Sequence, residues 1–373
     1  MQRIGIVGAG LTGAVLAREL AQKDYPCLVV DERTHCGGNC HTRRDPDTGV
    51  MVHVYGPHIF HTQEQAVWDY VRRFCDMRPY VNRVKAVSGG QVYGLPVNLH
   101  TINQFFRTAL SPAQARGLLA RKSRADIATP RNFEEQALKF VGEELYLAFF
   151  EGYTRKQWGV DPKELPASIL QRLPVRFTYE DNYYNHPFQG IPKDGYTALI
   201  EAMLDHDNIE VVLGTRFEDL GETFAHVFYS GPLDRYFGYD SGRLTYRTLD
   251  FETLRAEGDF QGTAVINYPD RDVPFTRSIE HKFFAPWELD AHDKTVVFRE
   301  YSRACGDGDI PYYPVRLVAA QALLEHYEKR ARAEPRVTFV GRLGTYQYLD
   351  MDQAIAQALE AARRFCQTSA PTS

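Results

Sequence analysis

Residues 3–39 read RIGIVGAGLTGAVLARELAQKDYPCLVVDERTHCGGN, and the rest of the chain is organised around them. A short apolar run, Ile4 to Val7, meets a glycine turn with glycines at 8, 10 and 13. An amphipathic stretch from Thr12 to Gln22 follows, then a second apolar run, Cys27 to Val30, which ends on Asp31. Strand, glycine turn, helix, strand and acid in this order form a dinucleotide-binding βαβ unit. Gly8 permits the tight turn, Gly10 lets the backbone approach a pyrophosphate, and Gly13 lets the helix pack close to the strand. The helix N-terminus offers unpaired N–H groups and a positive dipole end to phosphate. Asp31 stands 18 residues after Gly13, where its carboxylate can accept from a ribose diol.

Beyond Asp31 come Glu32, Arg33 and the pair Gly37 and Gly38, followed by Asn39. This continuation resembles the FAD-binding signature of the glutathione-reductase and amine-oxidase type flavoproteins. The segment Val337 to Asp352 contains Gly341 and Arg342 after an apolar run, with a helix predicted from about Asp350. It resembles the second flavin-contacting segment of that superfamily. The fold class expected is therefore α/β: a Rossmann-like FAD-binding domain closed by both termini, with α+β insertions. Its boundaries are 1–80, 205–235 and 316–373.

The insertions divide by pattern. Residues 82–87 and 91–96 alternate around Gly89 and Gly90, which predicts a hairpin. From Thr101 the pattern is helical for about seventy residues, with a capping box expected at Asn132 and Glu135. A helical domain over 97–175, carrying a mobile substrate loop, is the reading. Residues 81–96, 176–204 and 236–315 then form an antiparallel sheet domain. Within the helical part, residues 149–159 read FFEGYTRKQWG, with aromatic and polar residues in neither helical nor strand period. That stretch is either a helix end packed into the core or a stacking platform for a base or sugar. Arg172 and Arg176 offer planar forks for phosphate; taken alone, each reads first as a solvated surface arginine. His58 and His61, in YGPHIFH, are either structural histidines or groups set against a flavin ring.

Bulk properties narrow the classes. At 373 residues the chain needs more than one core. A net charge of −5 argues against nucleic-acid or anionic-membrane surfaces. No apolar run reaches membrane-spanning length, and the first strand begins too early for a signal peptide, so a cytoplasmic location is expected. Six scattered cysteines suit free thiols in a reducing compartment; Cys36 and Cys40 leave a redox pair open. No metal-ligand spacing stands out.

Taken together, YGPHIFHT, NLHTINQFF, EGYTRKQWG, LPASILQRLPVRF, DNYYN, FQGIP, DVPFTRSIEHKFF, EYSRACGDGDIPYYPV and GRLGTYQYLDMD resemble the bacterial UDP-galactopyranose mutase family over essentially the whole chain. The resemblance implies an isomerase that interconverts UDP-galactopyranose and UDP-galactofuranose without net redox change. It implies FAD that is active when reduced, its N5 attacking the anomeric carbon and passing through a flavin–sugar iminium adduct. It implies Arg172 and Arg277 as the diphosphate clamp and His58 beside the flavin in proton handling. Phe149, Tyr153, Thr154, Trp158 and Asn82 are implied around uridine; Tyr183, Asn267, Tyr313 and Tyr348 around diphosphate and sugar. Flavin contacts are implied at Gly8, Gly10, Thr12, Gly13, Asp31, Glu32, Gly38, Asn39, His58 and Ile59. Phe217, Arg342, Leu349, Asp350 and Met351 complete that set. Partners implied are UDP, NAD(P)H or another reductant, and a second copy in a homodimer serving cell-surface polysaccharide synthesis. Two other readings stay open: a mutase of the same fold for UDP-N-acetylgalactosamine or a dTDP-deoxysugar, and an FAD-dependent oxidase.

Overall fold

The computed structural model describes residues 3–172, 175–317 and 320–369. Five parallel strands form the first sheet, in the order Ile209–Leu213, Cys27–Asp31, Ile4–Val7, His226–Tyr229, Val337–Phe339. The first helix, Leu11–Ala21, is buried almost all round, at Ala14, Val15, Leu16, Ala17 and Leu20. A helix apolar on every side needs two covers. It lies against the C-terminal helix Met351–Ser369 and the helix Gly195–Leu204 as well as its own sheet. The two termini therefore close one layer structure.

A second sheet of seven strands runs Tyr313–Pro314, Tyr246–Glu257, Lys294–Ala304, Arg277–Glu280, Val265–Asn267, Val84–Ser88, Gln91–Leu95. The hairpin expected around Gly89 and Gly90 is present. The sheet departs from the antiparallel expectation at one place: Val84–Ser88 and Val265–Asn267 run parallel. These strands are far apart in sequence, and the intervening chain is long enough for a crossover that a hairpin cannot make. Residues 188–192 pair with Phe60–Thr62 and Met77–Pro79 in a separate small sheet.

The helices between residues 99 and 158 enclose their own core around Ile102, Leu119, Phe133, Val141 and Leu145. Asn132 caps the helix Phe133–Val141 through the Glu135 N–H, as expected. The return bond of a capping box is missing. Glu135 instead takes the Arg131 N–H at 2.8 Å, because it also pairs with the Arg131 guanidinium one residue further out.

Candidate active site

At the tip of the first strand the chain leaves room for a dinucleotide. Gly8 has φ +105°, and a Cβ there would overlap Ser230 Oγ. Gly10 lies against Gly38: a Cβ on Gly10 would stand 3.5 Å from Gly38 Cα. The Gly37 N–H donates to Ala9 O at 2.9 Å, so the two glycine segments form one wall. Asp31 holds this wall from below, accepting from Ala9 N–H at 2.8 Å and Arg33 N–H at 2.9 Å. An ionised carboxylate has about four acceptor positions, so a ribose diol can still be taken. Glu32 pairs with Arg235 at 3.0 Å.

Arg33 donates to Asn39 Oδ1 at 2.8 Å and lies over the Tyr55 ring. Its Nη1 is buried without a partner, a donor that an anion would satisfy. The C-terminal segment reaches the same place. Gly341 abuts Thr12, with Oγ1 3.1 Å from where its Cβ would be. Arg342 is fixed by Leu349 O at 2.7 Å. Met351 Sδ lies 3.7 Å from Cys40 Sγ, and all six cysteines are free thiols. Phe217 follows the strand Ile209–Leu213, whose exit is tied to Asp31 O by the Thr215 N–H at 3.1 Å. Ile59 is buried in the main core. Cradle, acid, orphan arginine and glycine wall together fit a bound dinucleotide.

The second part of the site is one row across the seven-stranded sheet. Asn267 is directly opposite Arg277, and Arg277 is directly opposite Glu300. Glu300 is 0% exposed and accepts from Arg277 Nε at 2.8 Å and Nη2 at 2.6 Å. Thr276 Oγ1 donates to its other oxygen at 3.0 Å. Burial opposes the Arg277 charge, yet Glu300 more than compensates and raises its affinity for the proton. Arg277 is thus a permanent cation held from behind. Its charge acts on the phenols of Tyr153, Tyr183 and Tyr313. Burial pushes the Tyr183 phenol up to about 12, so it stays a proton donor.

The third part is residues 147–158. The broken aromatic period has a physical cause: Leu147–Glu151 is a π-helical turn that leads into the α-helix Gly152–Trp158. The extra residue per turn shifts the side-chain phase, a feature frequent at functional sites. Trp158 faces Tyr313 and Tyr348, with centroids 6.5 and 6.4 Å away, and those two tyrosines stack at 5.5 Å. Thr154 is buried. Phe149 packs in the helical core against Tyr93 and Phe105. Asn82 is 3% exposed, and its Oδ1 is buried without a partner. Arg172 ends the short helix Ala167–Arg172, and its side chain lies outside the described residues. Asp350 precedes the C-terminal helix, its N–H bonded to Gln353 Oε1.

His58 is acted on by the charges of Arg342 in the first part and Arg277 in the second. Its turn abuts the Arg277–Glu300 pair: a Cβ on Gly56 would stand 3.6 Å from Glu300 Oε2 and 3.7 Å from Arg277 Nη2. His58 Nδ1 bonds Gly56 O at 2.9 Å, which requires a proton on Nδ1 and leaves Nε2 as an acceptor. Burial, with the charges of Arg342 and Arg277, lowers its pKa to about 4. Behind it, His53 Nδ1 accepts the His58 N–H at 3.2 Å, and His281 Nδ1 accepts the His53 N–H at 3.3 Å. Burial holds His53 well below the usual range and His281 at about 3. A histidine with a depressed folded pKa is protonated first in the unfolded chain. Stability is therefore full above about pH 6.5 and falls as pH drops from there through about 4. Each of the three is expected to contribute a slope of up to about 1.4 kcal/mol per pH unit in that window. Urea unfolding between pH 7 and pH 4 checks this; a flat profile contradicts neutral buried histidines.

Glu300 is the residue that sequence reading passed over. The signal was weak: residues 295 to 298 of Lys294–Ala304 are buried on both faces, so parity alone does not mark 300 as a core position. An acid on the buried face of a strand needs a cation opposite. Tyr55, His53 and His281 were also given no role, and no local pattern distinguishes them from ordinary core or loop residues; Arg33 was read only as part of the signature after Asp31.

A family model for UDP-galactopyranose mutase matches residues 148–348, and one for an NAD(P)-binding Rossmann-like domain matches residues 6–74. A probable UDP-galactopyranose mutase of Klebsiella pneumoniae is 59% identical over 365 residues, covering 98% of this chain and 94% of the relative. A dTDP-fucopyranose mutase of Escherichia coli is 52% identical, over 98% of each chain. A crystal structure of reduced UDP-galactopyranose mutase superposes with TM-score 0.77 at 16% identity, covering 99% of this chain and 96% of the other. At that identity the last likeness is one of fold.

Proposed function

Because the chain belongs to the UDP-galactopyranose mutase family, we propose that it interconverts UDP-galactopyranose and UDP-galactofuranose with reduced FAD bound along the parallel sheet. The observation that carries this reading is the row Asn267, Arg277, Glu300 abutting the turn of His58, between a glycine cradle and an aromatic helix. Reduced FAD would supply the nucleophile for the anomeric carbon, recovered unchanged at the end of the cycle.

The residues then have separate tasks. Arg277, with Arg172 at the end of the short helix Ala167–Arg172, neutralises the diphosphate as the C1–O bond breaks. Such clamps act where charge develops, and removing one donor commonly costs about 10²–10³ in rate. Tyr153, Thr154 and Trp158 hold uridine, with Asn82 and Phe149 behind them. Tyr183, Tyr313 and Tyr348 line the sugar. The reaction moves one proton off the C4 hydroxyl and one onto the C5 oxygen, with no net gain or loss. His58 Nε2 is the acceptor available for this transfer, its Nδ1 proton being held by Gly56 O. Thr12, Asp31, Asn39 and Arg342 contact the cofactor, and NAD(P)H or a similar donor reduces it.

The test is anaerobic turnover of UDP-galactofuranose by purified protein, with and without dithionite, followed by chromatography. Conversion to the pyranose in the reduced sample only is expected. No conversion with flavin bound and reduced would overturn the assignment. Trp158→Ala is expected to weaken UDP binding about tenfold, since stacking contributes roughly 1–3 kcal/mol per base. An unchanged Kd by fluorescence titration would return Trp158 to a packing role.

One relative favours a second reading. The 52% identity to a dTDP-fucopyranose mutase makes a dTDP-deoxysugar an alternative substrate. Side-by-side kcat/KM for the UDP and dTDP sugars decides between them.

A further inference from the structure

We propose that Lys156 is a positioning residue that locks the nucleoside-binding helix to the phosphate clamp; this rests on the nucleotide reading above. The Lys156 Nζ donates to four backbone carbonyls of a single loop: Tyr268, Asp270 at 2.9 Å, Val273 at 2.9 Å and Phe275 at 3.1 Å. An ammonium has three N–H donors, so four converging oxygens saturate it in the manner of a coordinated cation. A surface lysine has no need of such a cradle.

The position of the cradle matters more than its strength. The loop runs from Asn267, the last residue of one strand, to Arg277, the first of the next. Arg277 is the clamp residue of the reading above, and Asn267 stands directly opposite it in the sheet. Lys156 itself lies on Gly152–Trp158, between Thr154 and Trp158. One side chain therefore joins the platform for the base to the loop that sets the clamp. The same seam is closed in two further ways. Glu151, which is buried, pairs with both Arg271 and Arg155. Gly152 leaves the space into which Pro269 O projects, where a Cβ would overlap it. Without the ammonium, the converging carbonyls would lose their shared donor, Asp270 O keeping only the Val273 N–H at 3.3 Å, and their dipoles would push the loop apart.

A nucleoside diphosphate must touch both halves at once, whereas uridine touches one. Lys156→Met should therefore leave uridine affinity within about twofold and raise the UDP Kd about tenfold, within the usual range of coupling between two sites. Far-UV circular dichroism and flavin content should stay at the wild-type values. Ligand-observed NMR for uridine and fluorescence titration for UDP give the two constants on the flavin-loaded enzyme. Equal loss of uridine and UDP affinity would mean a purely structural lysine and overturn the proposal. So would a UDP Kd within twofold of wild type. Should the methionine variant fail to fold, Lys156→Gln, which keeps one donor group in the cradle, is read by the same two constants. If the wild-type enzyme does not bind UDP, the nucleotide reading itself fails, and that outcome is separate from the behaviour of the variants.

Discussion

Arg277→Ala is expected to lower turnover by about 10²–10³-fold while flavin stays bound. The rate loss has a single origin in the reading above: the departing diphosphate loses the cation set in the sheet beside it. Stability should fall as well, for a different reason. Glu300 is 0% exposed, and Arg277 is its only cationic partner among the described residues. Removing one member of a buried pair typically costs about 3–5 kcal/mol, because the other charge stays behind. The two effects are separable. Adding Glu300→Gln to Arg277→Ala removes the stranded charge and should recover much of the unfolding free energy, with no recovery of rate. Urea unfolding and anaerobic turnover on the single and double variants read each part. Turnover restored in the double variant would mean that Arg277 serves the fold and not the chemistry.

Two neighbouring glycines are expected to fail in opposite ways. At Gly13 a Cβ would overlap the Gly8 carbonyl oxygen, a backbone atom that cannot move aside. Gly13→Ala should destabilise the fold by about 3 kcal/mol or more, at the upper end for overpacking, and the purified protein should carry little flavin. At Gly10 the nearest atom to a Cβ is Gly38 Cα at 3.5 Å, an ordinary contact, and the backbone is extended. Gly10→Ala should therefore melt close to wild type when flavin-free and still bind FAD poorly, because the added methyl occupies the approach to the pyrophosphate. Thermal melts and the flavin-to-protein absorbance ratio separate the cases. A Gly10→Ala protein with full flavin content would place the pyrophosphate elsewhere.

The site was legible to unequal degrees. The glycine cradle needs only local sequence, because each of its parts is a backbone demand: a positive φ at Gly8, a missing side chain at Gly13, an acid at a strand end. The helical insert was legible as helices, but the phase of residues 149–159 was not. A π-helical turn has no sequence signature of its own, and it rotates every side chain after it. The cap at Asn132 was legible, while its return bond was lost to Arg131, a competition between equal local partners.

By itself, the sequence determined the Rossmann-like unit, the hairpin at Gly89 and Gly90 and, through motifs spread along the whole chain, the family. These rest on spacings within a few turns or strands, where chain geometry leaves little freedom. Only the tertiary structure decided that Asn267, Arg277 and Glu300 form one row, that the His58 turn abuts it, and that the Lys156 ammonium sits in a carbonyl cradle. Strand register is the reason. A shift of one residue would send Glu300 to the opposite face of its sheet, and register is set by the packing of three successive strands against the core, which no spacing along the chain fixes.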